Sequence, residues 1–191
     1  YVVVETSSGL RQKQEARGLK VVTDVEELAS APSFVFANEV VDALPVNRVM
    51  GDGQGNLLEM YVALDQDGDF IEEFDEPSTS GLASRLRAES IHLGRGHLAE
   101  ICLDIYPFIQ KAASIMSLGY LMIIDYGYDG PALYSCLRKN GGLRCYFRQQ
   151  QVYDPFDNIG DQDITTDVDF TALKSAAEKA GLVPGGRAWQ G

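Results

Sequence analysis

Apolar residues along this chain gather in short β-branched runs separated by polar stretches with helical spacing. Tyr1-Val-Val-Val-Glu5 ends in a carboxylate and enters Thr6-Ser-Ser-Gly9, which predicts a buried strand leaving into a loop. Leu10 to Ala16 predicts a helix stopped at Gly18. Leu19-Lys-Val-Val-Thr23 and Ser33-Phe-Val-Phe-Ala37 predict two further strands, ending at Asp24 and at Asn38-Glu39. Strand alternating with helix is the rhythm of a parallel sheet.

The middle of the chain changes period. Leu57 to Asp65 and Phe70 to Phe74 are extended runs around Asp65-Gln-Asp-Gly-Asp69, whose residues favour a hairpin turn. From His97 onward, Leu98, Ile101, Cys102, Ile105, Ile109, Ala112 and Met116 recur at helical spacing and predict one long helix, kinked or split at Pro107. Gly119 to Ile124 is the most apolar strand and ends in Asp125-Tyr-Gly-Tyr128. Leu143 to Phe147 predicts another strand, and Asp154 to Asp167 a loop. Asp169 predicts the N-cap of a helix with Phe170, Leu173, Ala177 and Ala180 on one face, stopped at Gly181. No repeat or linker divides the chain, so residues 1–191 read as a single domain, with a hairpin-containing insertion at 50–96.

Charge narrows the partners. Twenty-eight acidic residues against 16 basic ones give a net charge of −12, which repels phosphate backbones and excludes nucleic acid as a general partner. A basic protein segment or a small molecule remains. The three cysteines are odd in number and form no CxxC pair, as expected of free thiols in a reducing compartment. No run approaches the ~18 apolar residues of a membrane span. His92 and His97 are the only histidines, five apart and with no third histidine or CxxC pair to complete a ligand set, so no metal is assigned. Asp65 to Asp69 mimics a calcium loop, but its sixth position is Phe70 rather than glycine, which favours a hairpin turn. Gly94-Arg-Gly96 lacks both the preceding strand and the third glycine of a dinucleotide loop.

Candidate chemistry lies at the strand ends, where open parallel sheets bind ligands. Glu5, Asp24, Asn38-Glu39 and Asp125 each follow a predicted strand. Any one of them also reads as a cap or turn residue. Glu5 suits ribose hydroxyls and Asp24 an adenine edge. Glu39 and Asp42 are three apart, so one helical turn would bring both carboxylates to one face. Such a pair can hold a guanidinium still through bidentate hydrogen bonds. In the competing reading Asn38 caps a short helix, Pro45 closes it and Asp42 is a surface residue.

Asn38-Glu-Val-Val-Asp-Ala-Leu-Pro45 resembles the signature of the MidA-like methyltransferases. Tyr1-Val-Val-Val-Glu-Thr-Ser7 with Leu10-Arg11 and Gln14 resembles that family's second-strand block. Ile123-Ile-Asp-Tyr-Gly-Tyr128, Leu143-Arg-Cys-Tyr146, and Gln162-Asp-Ile-Thr165 followed by Asp167-Val-Asp-Phe170 resemble later blocks in the same order. The resemblance implies an α/β fold: a Rossmann-like class I methyltransferase sheet, mostly parallel, with a β-hairpin insertion. It implies S-adenosylmethionine as cofactor and a protein side chain, arginine, as methyl acceptor, in some members on a respiratory-chain subunit of complex I. A homodimer is compatible with it, as is the bacterial cytoplasm or the mitochondrial matrix. By resemblance Glu5, Asp24, Val25 and Asn38 serve the cofactor, Asn38, Glu39 and Asp42 the chemistry, and Asp125, Tyr126 and Gly127 the substrate. The family's first strand and glycine-rich loop are expected before Tyr1, so this chain alone is expected to be inactive. Tyr1 to Glu5 is then not expected to pair directly with Ser33 to Ala37. The rival expectation is a non-catalytic interaction or assembly module that keeps the fold.

Overall fold

The computed structural model describes residues 1–190. The chain opens with β1 (Val2–Val4), α1 (Ser8–Glu15) and β2 (Lys20–Val22), then a 3-10 turn (Val25–Glu27) and β3 (Ala31–Asn38). An antiparallel block follows: β4 (Asn47–Gly51), β5 (Leu57–Leu64), β6 (Phe70–Asp75), α2 (Ser80–Ala88) and β7 (Leu98–Ile101). The chain returns through α3 (Ile105–Ser114) to β8 (Met116–Ile124), β9 (Gly127–Tyr128) and α4 (Gly130–Leu133). After a 3-10 turn (Cys136–Arg138) come β10 (Arg144–Phe147), β11 (Gln150–Val152), β12 (Asp163–Thr165) and β13 (Val168–Asp169), which leads into α5 (Phe170–Lys179).

Parallel pairing dominates where the strand–helix alternation predicted it. β1 lies parallel to β2 with Val3 opposite Val21. β3 lies parallel to β8 along its whole length, from Ala31 opposite Met116 to Asn38 opposite Ile124. As expected, β1 and β3 do not pair with each other among the described residues. The two-residue period sorts β3 and β8 into two faces. Leu121 and Ile123 pack with Val41, Ile105, Ile109 and Ala176 in one core under α3 and α5. Phe34, Phe36, Tyr120 and Met122 line the opposite face and are exposed. Fully burying a side chain such as Ile109 contributes about 1.5–3 kcal/mol.

β6, β5, β4 and β7 form one antiparallel sheet in that order. Its hairpin turn is the predicted one: the Asp65 N–H donates to the Asp69 carbonyl (2.9 Å), and the Asp65 carboxylate accepts from the Asp67 and Asp69 amides. Leu82 and Leu86 of α2, an element the sequence reading did not anticipate, close a second core over Val49, Ala99 and Ile101.

The long helix expected from His97 is not one element. Leu98 to Ile101 is β7, paired with β4 from Met50 opposite Leu98 to Asn47 opposite Ile101. Ala99 and Ile101 alternate into the core beside Val49, a strand period that a few apolar residues at helical spacing can mimic. Pro107 is the third residue of α3, inside its first turn, where a missing N–H breaks no helical bond. It therefore neither kinks nor splits the helix, and Met116 already belongs to β8.

Candidate active site

The C-terminal ends of β3 and β8 lie side by side, so the loops that follow them meet. The Glu39 amide prolongs the ladder to the Ile124 carbonyl (2.8 Å). Glu39 then takes φ +49°, a left-handed conformation that costs a non-glycine residue energy and ends regular structure. Beyond it the Asp125 carboxylate accepts from the Val41 and Asp42 amides, at 3.0 and 3.2 Å. These contacts correct the expected helical turn over Asn38 to Asp42. The segment is an irregular bend, and Glu39 and Asp42 do not share a helical face. The cause is tertiary: a carboxylate 84 residues away takes the amides that a helix would use.

The two acids end in opposite environments. Glu39 is exposed and its carboxylate makes no hydrogen bond or ion pair among the described residues. Asp42 is only 4% exposed, so it is not the surface residue of the competing reading either. Its Oδ2 accepts a short hydrogen bond from the Tyr126 hydroxyl, and its Oδ1 has no partner among the described residues. Burial, followed by the bond to Asp42, raises the Tyr126 phenol pKa well above its ordinary value, so the hydroxyl keeps its proton and donates it. Burial, with the Asp42 charge second, also raises the Asp125 pKa. Asn38 is exposed at the end of β3.

A third segment closes the site. The Thr166 amide donates to the Asp42 carbonyl and the Val168 amide to the Tyr126 carbonyl, both at 2.9 Å. β13 runs parallel to β9, with Val168 opposite Gly127. A Cβ on Gly127 would lie 2.0 Å from the Val168 carbonyl oxygen, so that position needs glycine. The buried Asp167 carboxylate takes two arginines, Arg144 at 2.5 Å and Arg138 on its other oxygen. The Arg144 guanidinium sits 5.3 Å over the Tyr126 ring, and Arg138 4.3 Å over Tyr128. Asp169 caps α5 through the Ala172 amide (3.0 Å) and pairs with Arg85 (2.6 Å), yet burial raises its pKa.

Asp167, Arg144 and Arg138 were not picked out as site residues from the sequence. The signal available was two acids, Asp167 and Asp169, flanking one apolar residue just before a helix. Of the expected substrate residues, Asp125 and Tyr126 meet Asp42, whereas Gly127 pairs with Val168. In each, however, part of the polar capacity is spent on holding the loops together.

Glu5 and Asp24 differ in what they have left to offer. Glu5 follows β1, its Oε1 accepts from the Ser7 amide (2.8 Å), and its other oxygen is uncommitted. That suits a vicinal diol. Asp24 caps the 3-10 turn through the Glu26 amide (3.0 Å) and pairs with Lys111 (2.6 Å). The Lys111 bond comes first among the causes that lower its pKa. An adenine amine there would have to share these oxygens. Val25, half-buried at the start of that turn, is the apolar neighbour available to a ring.

Comparison with known proteins adds a second line of evidence. A family described as "Putative S-adenosyl-L-methionine-dependent methyltransferase" matches residues 1–187. A Caenorhabditis elegans protein named "Protein arginine methyltransferase NDUFAF7 homolog, mitochondrial" is 26% identical over 182 residues, which is 92% of this chain and 40% of the relative. The Danio rerio "Protein arginine methyltransferase NDUFAF7, mitochondrial" is 29% identical over 155 residues, or 80% of this chain and 34% of the relative. The chain thus spans well under half the length of these curated relatives. A crystal structure from Burkholderia thailandensis bound to S-adenosyl-homocysteine superposes with a TM-score of 0.83 at 29% identity, covering 95% of this chain and 48% of that one.

Proposed function

Since the chain belongs to this MidA-like family of S-adenosyl-L-methionine-dependent methyltransferases, we propose that it carries the substrate wall and part of the cofactor pocket of a protein arginine methyltransferase. The observation that carries the proposal is the meeting of the Asn38–Asp42 and Asp125–Tyr126 loops at the ends of two parallel strands, with one free exposed carboxylate and one buried carboxylate. The relatives named as protein arginine methyltransferases support arginine as the acceptor.

The bound cofactor supplies an electrophilic methyl group on a sulfonium. In this reading Glu5 holds its ribose, Asp24 and Val25 flank the adenine, and Asn38 borders the methyl donor. Glu39 faces the substrate guanidinium and holds it by charge-assisted hydrogen bonds. Held by these residues, the cofactor would supply its methyl group to the acceptor nitrogen, with the neutral sulfide as leaving group. The proton shed by nitrogen passes to Glu39 or to water. Asp42 does not reach solvent; it fixes the Tyr126 hydroxyl, while Asp125 fixes the loop that carries Glu39. The antiparallel hairpin block is taken as an insertion within one methyltransferase domain. The mitochondrial names of the relatives support the mitochondrial matrix for a eukaryotic chain; the cytoplasm for a bacterial one, and a respiratory-chain subunit as substrate, rest on the family resemblance.

Titration with S-adenosylmethionine tests the cofactor half of the proposal. Glu5→Ala in the full-length protein should weaken binding by about 1–3 kcal/mol, the range for a lost charge-assisted hydrogen bond. Unchanged affinity in a folded variant removes Glu5 from the pocket.

A further inference from the structure

Among the described residues, β6 is an edge strand, hydrogen-bonded on one side only. The Asp65-to-Asp69 bond at the turn sets the phase of the hairpin. Alternation of bonded and non-bonded pairs then directs the backbone groups of Phe70, Glu72 and Phe74 away from β5, toward the open edge. Such an edge is a template for another extended segment unless something blunts it.

The side chains say what kind of segment would fit. From Asp65 to Glu76 there are seven acidic residues and no basic one. Only Glu72 among them has an ion-pair partner among the described residues, Arg48 at 2.9 Å. Val62, Leu64, Phe70 and Phe74 share one face of the hairpin by register and are all exposed. Phe70 also stacks on Phe156 (5.8 Å between centroids), which joins the hairpin to residues 153–163, a stretch with four aspartates and no basic residue. The edge therefore offers main-chain partners, apolar contact and strong negative charge together. A second copy of the same acidic edge would be repelled; a basic strand would be drawn in and neutralised.

We propose that the free edge of β6 docks an extended basic segment of the substrate protein by strand addition, with its arginines or lysines over the acids of the hairpin and its apolar residues beside Phe70 and Phe74. This rests on the reading of the substrate as an arginine-bearing protein. β4 starts at Asn47, directly after the Asn38–Pro45 block, so the docking sheet is tethered to the loop that carries Glu39. A segment held on β6 would raise the local concentration of its neighbouring arginine at the site.

The probe is a labelled peptide of alternating arginine and valine, with a glutamate–valine peptide as control, titrated into the protein by fluorescence anisotropy. The arginine peptide should bind and weaken steeply with added salt, and the control should not bind. E73K/D75K, at two exposed positions outside the candidate site, should weaken binding by about tenfold or more. Glu72→Pro, which removes an outward N–H without breaking a bond to β5, should do the same, whereas Glu72→Gln should cost about threefold or less. S-adenosylmethionine affinity and the circular dichroism spectrum should be unchanged in each variant. Equal binding of both peptides, full binding by E73K/D75K or by Glu72→Pro, or a homodimer that these variants dissociate would overturn the proposal. Docking without arginine methylation by the full-length protein would leave this edge assigned and overturn the proposed activity; methylation of a protein substrate by it with the same KM in the hairpin variants would do the reverse.

Discussion

Removing one hydroxyl, in Tyr126→Phe, should cost far more than its size suggests. Asp42 is 4% exposed, and among the described residues its Oδ1 has no partner and its Oδ2 has only the Tyr126 hydroxyl. Without that hydroxyl a buried carboxylate loses its side-chain partner, which costs about 2–3 kcal/mol. Asp42→Asn should cost about 1 kcal/mol or less, because the amide oxygen still accepts from Tyr126 and the repulsion that helps raise the Asp125 pKa disappears. In the double variant the desolvated charge is gone as well, so the two losses should overlap. A coupling of about 1–2 kcal/mol is expected from a double-mutant cycle. Urea unfolding of the four proteins at neutral pH, with unchanged m-values, measures it. If the double variant loses the sum of the single losses to within about 0.5 kcal/mol, the two side chains do not act as a pair and the argument fails.

Gly127→Ala places a Cβ against the Val168 carbonyl oxygen, a 2.0 Å contact that only a backbone shift relieves; it should destabilise by about 1–3 kcal/mol or more, read as a fall in Tm. Asp125 should leave a mark on the pH dependence of stability. Its folded pKa is raised, so its proton favours the folded state, and stability from this source is fullest below the unfolded pKa and lost as pH rises through the folded one. Chemical denaturation of wild type and Asp125→Asn across the acid range should show that decline in the wild type and a flatter profile in the variant; parallel profiles would exclude Asp125 as its source. Leu82→Ala, at a position with no exposure, should cost about 2–5 kcal/mol, and a loss under ~1 kcal/mol would show that α2 is not needed to close the hairpin sheet.

Much of this fold was legible because period and burial agreed. Val2 to Val4, Val21-Val22, Phe34 to Phe36 and Leu121 to Ile124 are unbroken apolar or β-branched runs, and all became parallel strands. Asp65-Gln-Asp-Gly-Asp69 fixed its own turn through local hydrogen bonds, and Asp169 capped the helix it was expected to cap. Leu98 to Ile101 was misread because four residues satisfy both periods, and only pairing with a strand about fifty residues earlier decides between them. The conformation of Asn38 to Asp42 was illegible for a similar reason: the Asp125 carboxylate shapes it from across the sequence. The Asp167 cluster was hidden because its arginines lie 29 and 23 residues away in the chain, too far for any spacing rule.

If Glu39 presents a free carboxylate to a substrate arginine while the buried acids beside it build the wall, methyl transfer depends on that carboxylate and cofactor binding does not. In the full-length protein the test is transfer of radiolabelled methyl from S-adenosylmethionine to a protein substrate, scored as methylarginine after hydrolysis, for wild type and Glu39→Gln with cofactor affinity measured alongside. Labelled arginine is expected with the wild type, and with the variant a loss of transfer much larger than any change in cofactor affinity. Cofactor binding with no labelled arginine, or a Glu39→Gln enzyme as active as wild type, would contradict it.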